Sequence, residues 1–461
     1  MTQPENGPSV PAPAVPGARR SRERPSGTGE RPPAESPAVP HRPWPVRLSA
    51  KADEAIVGGI VRISDRALGP YQSAVVRIGF SFTWLVFLLF EWPRRRELYG
   101  PDGPWSWELG ERLVAGNHAF TVLLWSDSGV WFEAVYALAV LSSAALLVGW
   151  RTRTMSVLFM VGVLSLQNRS VFMGDGGDNV IHLMAMYLVL TRCGRVWSLD
   201  ARRARRRGAG GGRAAGTDLV GVALWSLLGA VLLVATAGGR LSWFGDDGPV
   251  LYVGWATFLW GLWLVHGLWW YVTRPADGRA GREDLRRLMD VLGNIVHNAV
   301  LLIIMAEVCL IYATAGWYKI QGSRWQDGTA VYYPLHLDYF SPWPALAEVL
   351  GSSGLMVMLL TYGTVIAQVA FPFTLFNRRV KNVLLAVMML EHASIAVILG
   401  LPFFSLAMIA ADAVFLPTVF LVWIGAGASR AAGRLRRGRP REPEEEAEPS
   451  GTGGPTRTLV G

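Results

Sequence analysis

The chain has 461 residues, 51% of them hydrophobic and 17% charged, with 20 Trp and a formal net charge of +9. Apolar runs of about 18 or more residues recur along it, each long enough to cross a bilayer, which excludes an ordinary soluble enzyme. The composition predicts an all-α, polytopic transmembrane helical bundle of about ten spans with disordered termini. Arg supplies most of the positive charge and sits in tails and short loops, a pattern that fits topology and anionic lipid, not nucleic acid. The only cysteines, Cys193 and Cys309, are too few for a disulfide framework, and no Cys-based metal site is expected.

Residues 1–50 are Pro-, Ala- and Arg-rich and lack the apolar core of a signal peptide, so a disordered basic tail is predicted there. The transmembrane domain is expected over 51–427. An amphipathic lead-in, KADEAIVGGIVRISDRALG, precedes the first span at 71–90. The long loop that follows carries Trp105, Trp107 and the helical pattern ELGERLVAGNHAF, expected to lie on the surface. Spans two and three, at about 131–149 and 155–173, are joined by the basic turn WRTRT. GDGGD breaks the pattern, and a fourth span runs from Asn179 to about Leu190.

Beyond the basic segment TRCGRVWSLDARRARRRGAGGGR, the fifth and sixth spans are expected at about 218–237 and 250–272, and the seventh at 293–318. The eighth covers about 354–376; NRRVKN is a tight basic turn; the ninth covers about 381–400. Leu401-Pro402 breaks that run, and the tenth span is expected at about 403–425. Residues 428–461, basic and then acidic, predict a second disordered tail. With the N-terminus in the cytoplasm, the Arg/Lys-rich segments fall inside and the external loops are mostly poor in Arg and Lys, Arg94–Arg96 excepted. This places both termini in the cytoplasm of a multi-pass cell-membrane protein.

The stretch AEVCLIYATAGWYKIQGSRWQDGTAVYYPLHLDYF, 306–340, ends an apolar helix with Lys319 and passes into a polar, aromatic loop. One reading makes Lys319 a snorkelling anchor at the membrane interface. The other makes it a base at the edge of a dry site, where the charged ammonium is disfavoured. The same topology brings Asp175, Asp178, His182, Asp327, His336 and Asp338 to that membrane face, with Glu391, His392 and Asp412 within spans and Glu307 three turns below Lys319. Each has a structural alternative: GDGGDN opens a helix, so Asp175 and Asp178 suit turn and N-cap roles, and the histidines suit hydrogen-bonded core positions. Together they predict an externally open polar cavity, because ionisable groups within spans face the bundle interior. Lys319 and His392 are its candidate reactive groups, and Asp178, His182, Trp325, Asp327 and Tyr332 its candidate substrate-binding groups. Trp325 and Tyr332 are expected to close it from above, His392 to neighbour Lys319, and Gly316 to admit a close neighbour. No metal is called for.

Three motifs carry a family resemblance: AGWYKIQGSRWQDGTAVYY; the helix that begins GDGGDNVIH and ends at WSLD; and EHASIAVILGLPFFSLAMIAAD. In this order, across roughly 70–425, they resemble the horizontally transferred transmembrane (HTTM) domain family, similar to vitamin K-dependent gamma-carboxylase. A bacterial branch, the sporulation-delaying protein B group linked to maturation of a peptide toxin, is similar too. The resemblance implies an exoplasmic site, Lys319 as the base that starts quinol oxidation, His392 as a pocket histidine, and a quinol as reductant. The hairpin at about 218–272 is additional to the family pattern, and the carboxylase's large lumenal domain is expected to be missing, so quinol chemistry without glutamate carboxylation is anticipated. The alternative is a non-enzymatic membrane partner for maturation or export of a secreted peptide or protein.

Overall fold

The structure is a computed structural model that describes residues 44–209, 218–242, 254–273 and 280–437. The tails expected at 1–50 and 428–461 lie mostly outside the described residues. Where they are described they are helical: α1 (Trp44–Asp65) starts within the first, and the last helix continues through Arg437 within the second. The chain divides into a leading unit, Met1–Val57, and a body, Gly58–Gly461. Everything below concerns the body.

Every regular element among the described residues is helical. The chain runs through α2 (Pro70–Phe90), α3 (Arg95–Tyr99), α4 (Trp107–Asn117), α5 (Gly129–Val148), α6 (Thr152–Arg169) and α7 (Gly176–Leu190). Next come α8 (Leu199–Ala209), α9 (Leu219–Ala237), α10 (Trp255–Thr273) and α11 (Ala280–Gln321). Short helices α12 (Ser323–Gln326), α13 (Tyr332–Leu335) and α14 (Pro344–Gly351) lead to α15 (Gly354–Ala370), α16 (Arg378–Ile398), α17 (Pro402–Asp412) and α18 (Thr418–Arg437). Among the described residues, six helices are long and apolar enough to cross a membrane: α2, α5, α9, α11, α15 with its short continuation, and α16.

A helix stands at each of the ten expected positions, but α6, α7 and α10 fall short of that standard. With 15 residues, α7 is about 22 Å long, against a hydrocarbon core of about 30 Å. The tenth position departs from expectation most clearly. Residues 402–415 and 418–431 are bent by 115°, so no single helix covers 403–425. Pro417 is the cause: it disfavours helical backbone at Leu416, which is extended with ψ 136°. The carbonyls released there are used, since Gln72 Nε2 donates to Leu416 O and Lys381 Nζ to Phe415 O.

The core is apolar and aromatic, built around Phe80 and Trp84 of α2, Tyr136 of α5, Phe159 of α6, Met184 of α7 and Met408 of α17. One end of the bundle is held by polar clamps. The fully buried Arg77 donates to the carbonyls of Leu146 and Leu147 at the end of α5, and to those of Cys193 and Trp197. Asp200 accepts from the amides of Arg151 and Thr152 that open α6. Asn294 and Asn298 of α11 bind the carbonyls of Ser64, Ile63 and Arg66 ahead of α2, and His297 is bonded to Leu68 O. From Asn298 to Lys319, α11 rises about 32 Å, one bilayer core. Lys319 therefore stands at the opposite end from these clamps.

Candidate functional site

Four helices converge where α11 ends. Tyr312 and Lys319, seven residues and therefore two turns apart, share one face of α11. That face meets α15 closely because of Gly316: a Cβ there would come within 2.6 Å of Val369 Cγ2. The close approach brings Gln368 of α15 within reach of Lys319, whose Nζ donates to Gln368 Oε1 at 2.6 Å. Gln368 Nε2 in turn donates to Glu391 Oε1 of α16 at 2.8 Å. The Lys319 Nζ also lies 5.2 Å from the ring centre of Trp325, on α12.

Two helical turns deeper, the Tyr312 hydroxyl donates to Asp412 Oδ1 at 2.8 Å and lies 3.1 Å from His392 Nε2. All three side chains are buried. Phe371 meets Tyr312 edge-on and Phe404 meets His392 edge-on, which holds both rings in place. Since the hydroxyl gives its proton to Asp412, it accepts from a His392 ring protonated at Nε2. Glu391 Oε2, His392 Nδ1 and Asp412 Oδ2 are buried and have no hydrogen-bond partner among the described residues.

Lys319, Gln368, Glu391, His392 and Trp325 line one cavity of about 470 Å³. The rest of its wall is almost entirely apolar, including Leu359, Leu360, Leu390, Ile395 and Phe404. An apolar chamber with a few convergent polar groups at one side is the form of a small-molecule site. It suits a flat, lipid-soluble molecule carrying one or two hydroxyls, which an amine and a carboxylate can bind while the walls exclude water.

Of the seven residues singled out in the sequence, the cavity gathers three: Lys319, His392 and Trp325. The other four lie outside its lining. Asp178 forms a capping box with Asp175 at the start of α7, as the GDGGDN pattern allows. His182 bonds through Nδ1 to Gln167 of α6 at 2.9 Å, because α7 turns that face toward α6. Asp327 organises its own turn: Thr329 donates to it from both backbone and side chain, and that hydrogen bonding holds its carboxyl below the usual range. Tyr332 is exposed and stacks on His336 at 3.9 Å, so Trp325 alone of the expected pair borders the cavity. His392 is not the direct neighbour of Lys319; Gln368 is.

Gln368 was not legible as a site residue, although a Gln within the run GLMVMLLTYGTVIAQVA is the kind of signal that marks an interior face. Tyr312 sits in an apolar run with nothing local to mark it, yet its hydroxyl joins two other helices. Asp412 and Glu391 were visible as ionisable residues in apolar runs, without an indication of their partners.

Fold and site together define an all-helical protein with several membrane-compatible helices and an apolar cavity headed by a lysine. No family model matches the chain, and no solved structure matches it. The chain is similar to an uncharacterised protein, YitO, of Bacillus subtilis strain 168, with 28% identity over 144 residues. That match spans 30% of this chain and 43% of the relative.

Proposed function

We propose that the chain is a multi-pass membrane protein of the HTTM type whose cavity binds a quinol or a similar lipid-soluble reductant, with Lys319 as proton acceptor. The observation that carries this reading is the position of Lys319. Its amine is drawn onto Gln368 at the wall of an apolar cavity, instead of extending alone toward head groups. The quinol supplies reducing equivalents and an acidic ring hydroxyl. Lys319 takes up the proton at Nζ. Gln368 orients the amine by accepting one N–H and is itself fixed by donating to Glu391. Trp325 borders the amine, the apolar walls keep water out, and His392 stands as a second polar group on the wall. Menaquinol oxidation by the purified protein in air-saturated buffer, with dioxygen as the electron acceptor that takes the two electrons and two protons, tests this, with Lys319→Ala beside it. Loss of turnover in the variant supports the reading, and equal turnover in both, or none in either, overturns it.

The accompanying topology is ten crossings with both termini in the cytoplasm and Lys319 on the external side. It is supported by the polar clamps around Arg77, Asp200 and Asn294–Asn298, which collect the Arg-rich turns at one end of the bundle. Cysteine labelling from one side of the membrane is expected to reach position 327 but not 379. Labelling of both from the same side rejects the arrangement.

A second reading, a membrane partner for a secreted peptide or protein, is favoured by the aromatic loop beyond Lys319. Tyr339 is 85% exposed and Trp343 60%. In that case a defined secreted partner is recovered from membranes with the protein, and Lys319→Ala leaves the association intact.

A further inference from the structure

A second cavity, of about 360 Å³, lies between α5, α6, α9 and α10, away from Lys319. Its walls include Trp131 and Val135 of α5, Leu158 and Val161 of α6, Leu228 of α9 and Leu259 of α10. The α9–α10 side is a rigid clasp. Trp225 and Trp263 stack with ring centres 4.1 Å apart, and each indole N–H donates to the other's backbone carbonyl, at 3.1 and 2.9 Å. Gly229 and Gly267 make room for the rings, since a Cβ at either would come within 3 Å of the facing indole. The clasp thus closes the hairpin while leaving its cavity face apolar.

Among the described residues, polar lining is confined to Thr154 and His266. Thr154 is two residues into α6, so this is the clamped end of the bundle. Just beyond it lies a concentration of guanidinium groups. Arg153 and Arg192 both approach the Trp269 ring, at 4.1 and 5.2 Å from its centre. Arg195 follows three residues after Arg192 on the same loop. Arg192 is paired with Asp290, and Arg151 with Asp218. Arg153 and Arg195 are exposed and, among the described residues, have no carboxylate partner. Along α9 the wall runs from Leu224 to Leu232, about 12 Å at the helical rise, close to the depth of one leaflet.

We infer that this cavity holds one acyl chain of an anionic glycerophospholipid, with the phosphate seated at Arg153 and Arg195. The charge complementarity and the apolar chamber must be met by the same molecule. A free phosphate leaves the chamber unfilled, and a neutral lipid leaves the two guanidiniums unpaired. Basic pockets between membrane helices on the cytoplasmic side bind acidic head groups for this reason. Stacking of Arg153 on Trp269 preorganises the cation without neutralising it. The assignment is independent of the chemistry proposed at Lys319.

Native mass spectrometry of the purified full chain, delipidated and then offered equal phosphatidylglycerol and phosphatidylcholine, tests the site. Wild type is expected to retain phosphatidylglycerol preferentially. Arg153→Gln is expected to lower that retention about fivefold, the effect of one interfacial basic group, while leaving phosphatidylcholine unchanged. Val161→Phe, which fills the chamber, is expected to lower retention of both lipids. Equal retention of the two lipids by wild type overturns the inference, as does a preference that survives both variants. Thermal protection by inorganic phosphate equal to that by phosphatidylglycerol also overturns it, in favour of a free-anion site. Should Val161→Phe fail to fold, the rim variant Arg153→Gln decides alone.

Discussion

Lys319 and Gln368 are joined across the α11–α15 contact by a 2.6 Å hydrogen bond, and the same Gln368 amide donates to Glu391 at 2.8 Å. A primary amide has one acceptor end and one donor end. Its placement between an amine and a carboxylate therefore fixes its rotamer and links three helices. Gln368→Leu removes both ends and leaves two half-buried polar groups, Lys319 and Glu391, short of a partner. The expected loss is about 1–3 kcal/mol of stability, read as a lower melting temperature in detergent, together with faster amine labelling at Lys319. An unchanged melting temperature and labelling rate would mean that the bridge holds nothing.

Tyr312 is the second hub. Its hydroxyl is shared by His392 and Asp412, both buried. Tyr312→Phe preserves the ring and its packing on Phe371 but strands both partners, so a cost of about 1–3 kcal/mol is expected. The double variant Tyr312→Phe, Asp412→Leu is expected to recover part of the loss, because the orphaned carboxyl is gone. Absence of any coupling between the two positions in this cycle would show that the network is not energetically connected.

The contact of Gly316 with Val369 decides whether Lys319 can reach Gln368. Gly316→Ala places a methyl against the Val369 side chain, and overpacking of this kind costs about 1–3 kcal/mol. Val369→Ala in the same chain is expected to relieve most of it. If Gly316→Ala is neutral on thermal unfolding, the helices are not held as closely as described.

Acid stability reads a different part of the molecule. Asp218 caps α9 and pairs with Arg151 at the end of the bundle opposite Lys319. The hydrogen bond from Arg151 holds the Asp218 carboxyl below the usual carboxylate range. A group with a depressed folded value contributes its stability in full above its unfolded value of about 3.9 and loses it as pH falls through the folded value. Wild type and Asp218→Asn should therefore differ in stability near neutrality and converge below about pH 4. A difference that persists in acid would assign the effect to something other than this pair. The site is partly exposed, so added salt should shrink the neutral-pH difference.

Much of the architecture is written in local pattern. Lengths of apolar runs, the breaks at GDGGD and Leu401-Pro402, and the place of Lys319 at the end of a long helix depend only on neighbouring residues, so the sequence by itself determined them. The cap formed by Asp175 and Asp178 is local in the same way. Which face each helix turns toward which neighbour is another matter. In a helix that meets lipid on one side and apolar neighbours on the other, both faces are hydrophobic, and the pattern carries little information about rotation or depth. Each residue turns a side chain by about 100°, so a small change of register moves it from cavity to lipid. Tertiary packing made those choices. It turned His182 toward Gln167 and away from the cavity, and set Gln368 between Lys319 and Glu391. It also brought Tyr312, His392 and Asp412 together from three helices. The buried Arg77 makes the same point at the other end of the bundle. A guanidinium in the middle of an apolar run becomes intelligible only when the carbonyls of Leu146, Leu147, Cys193 and Trp197, distant in sequence, are brought around it.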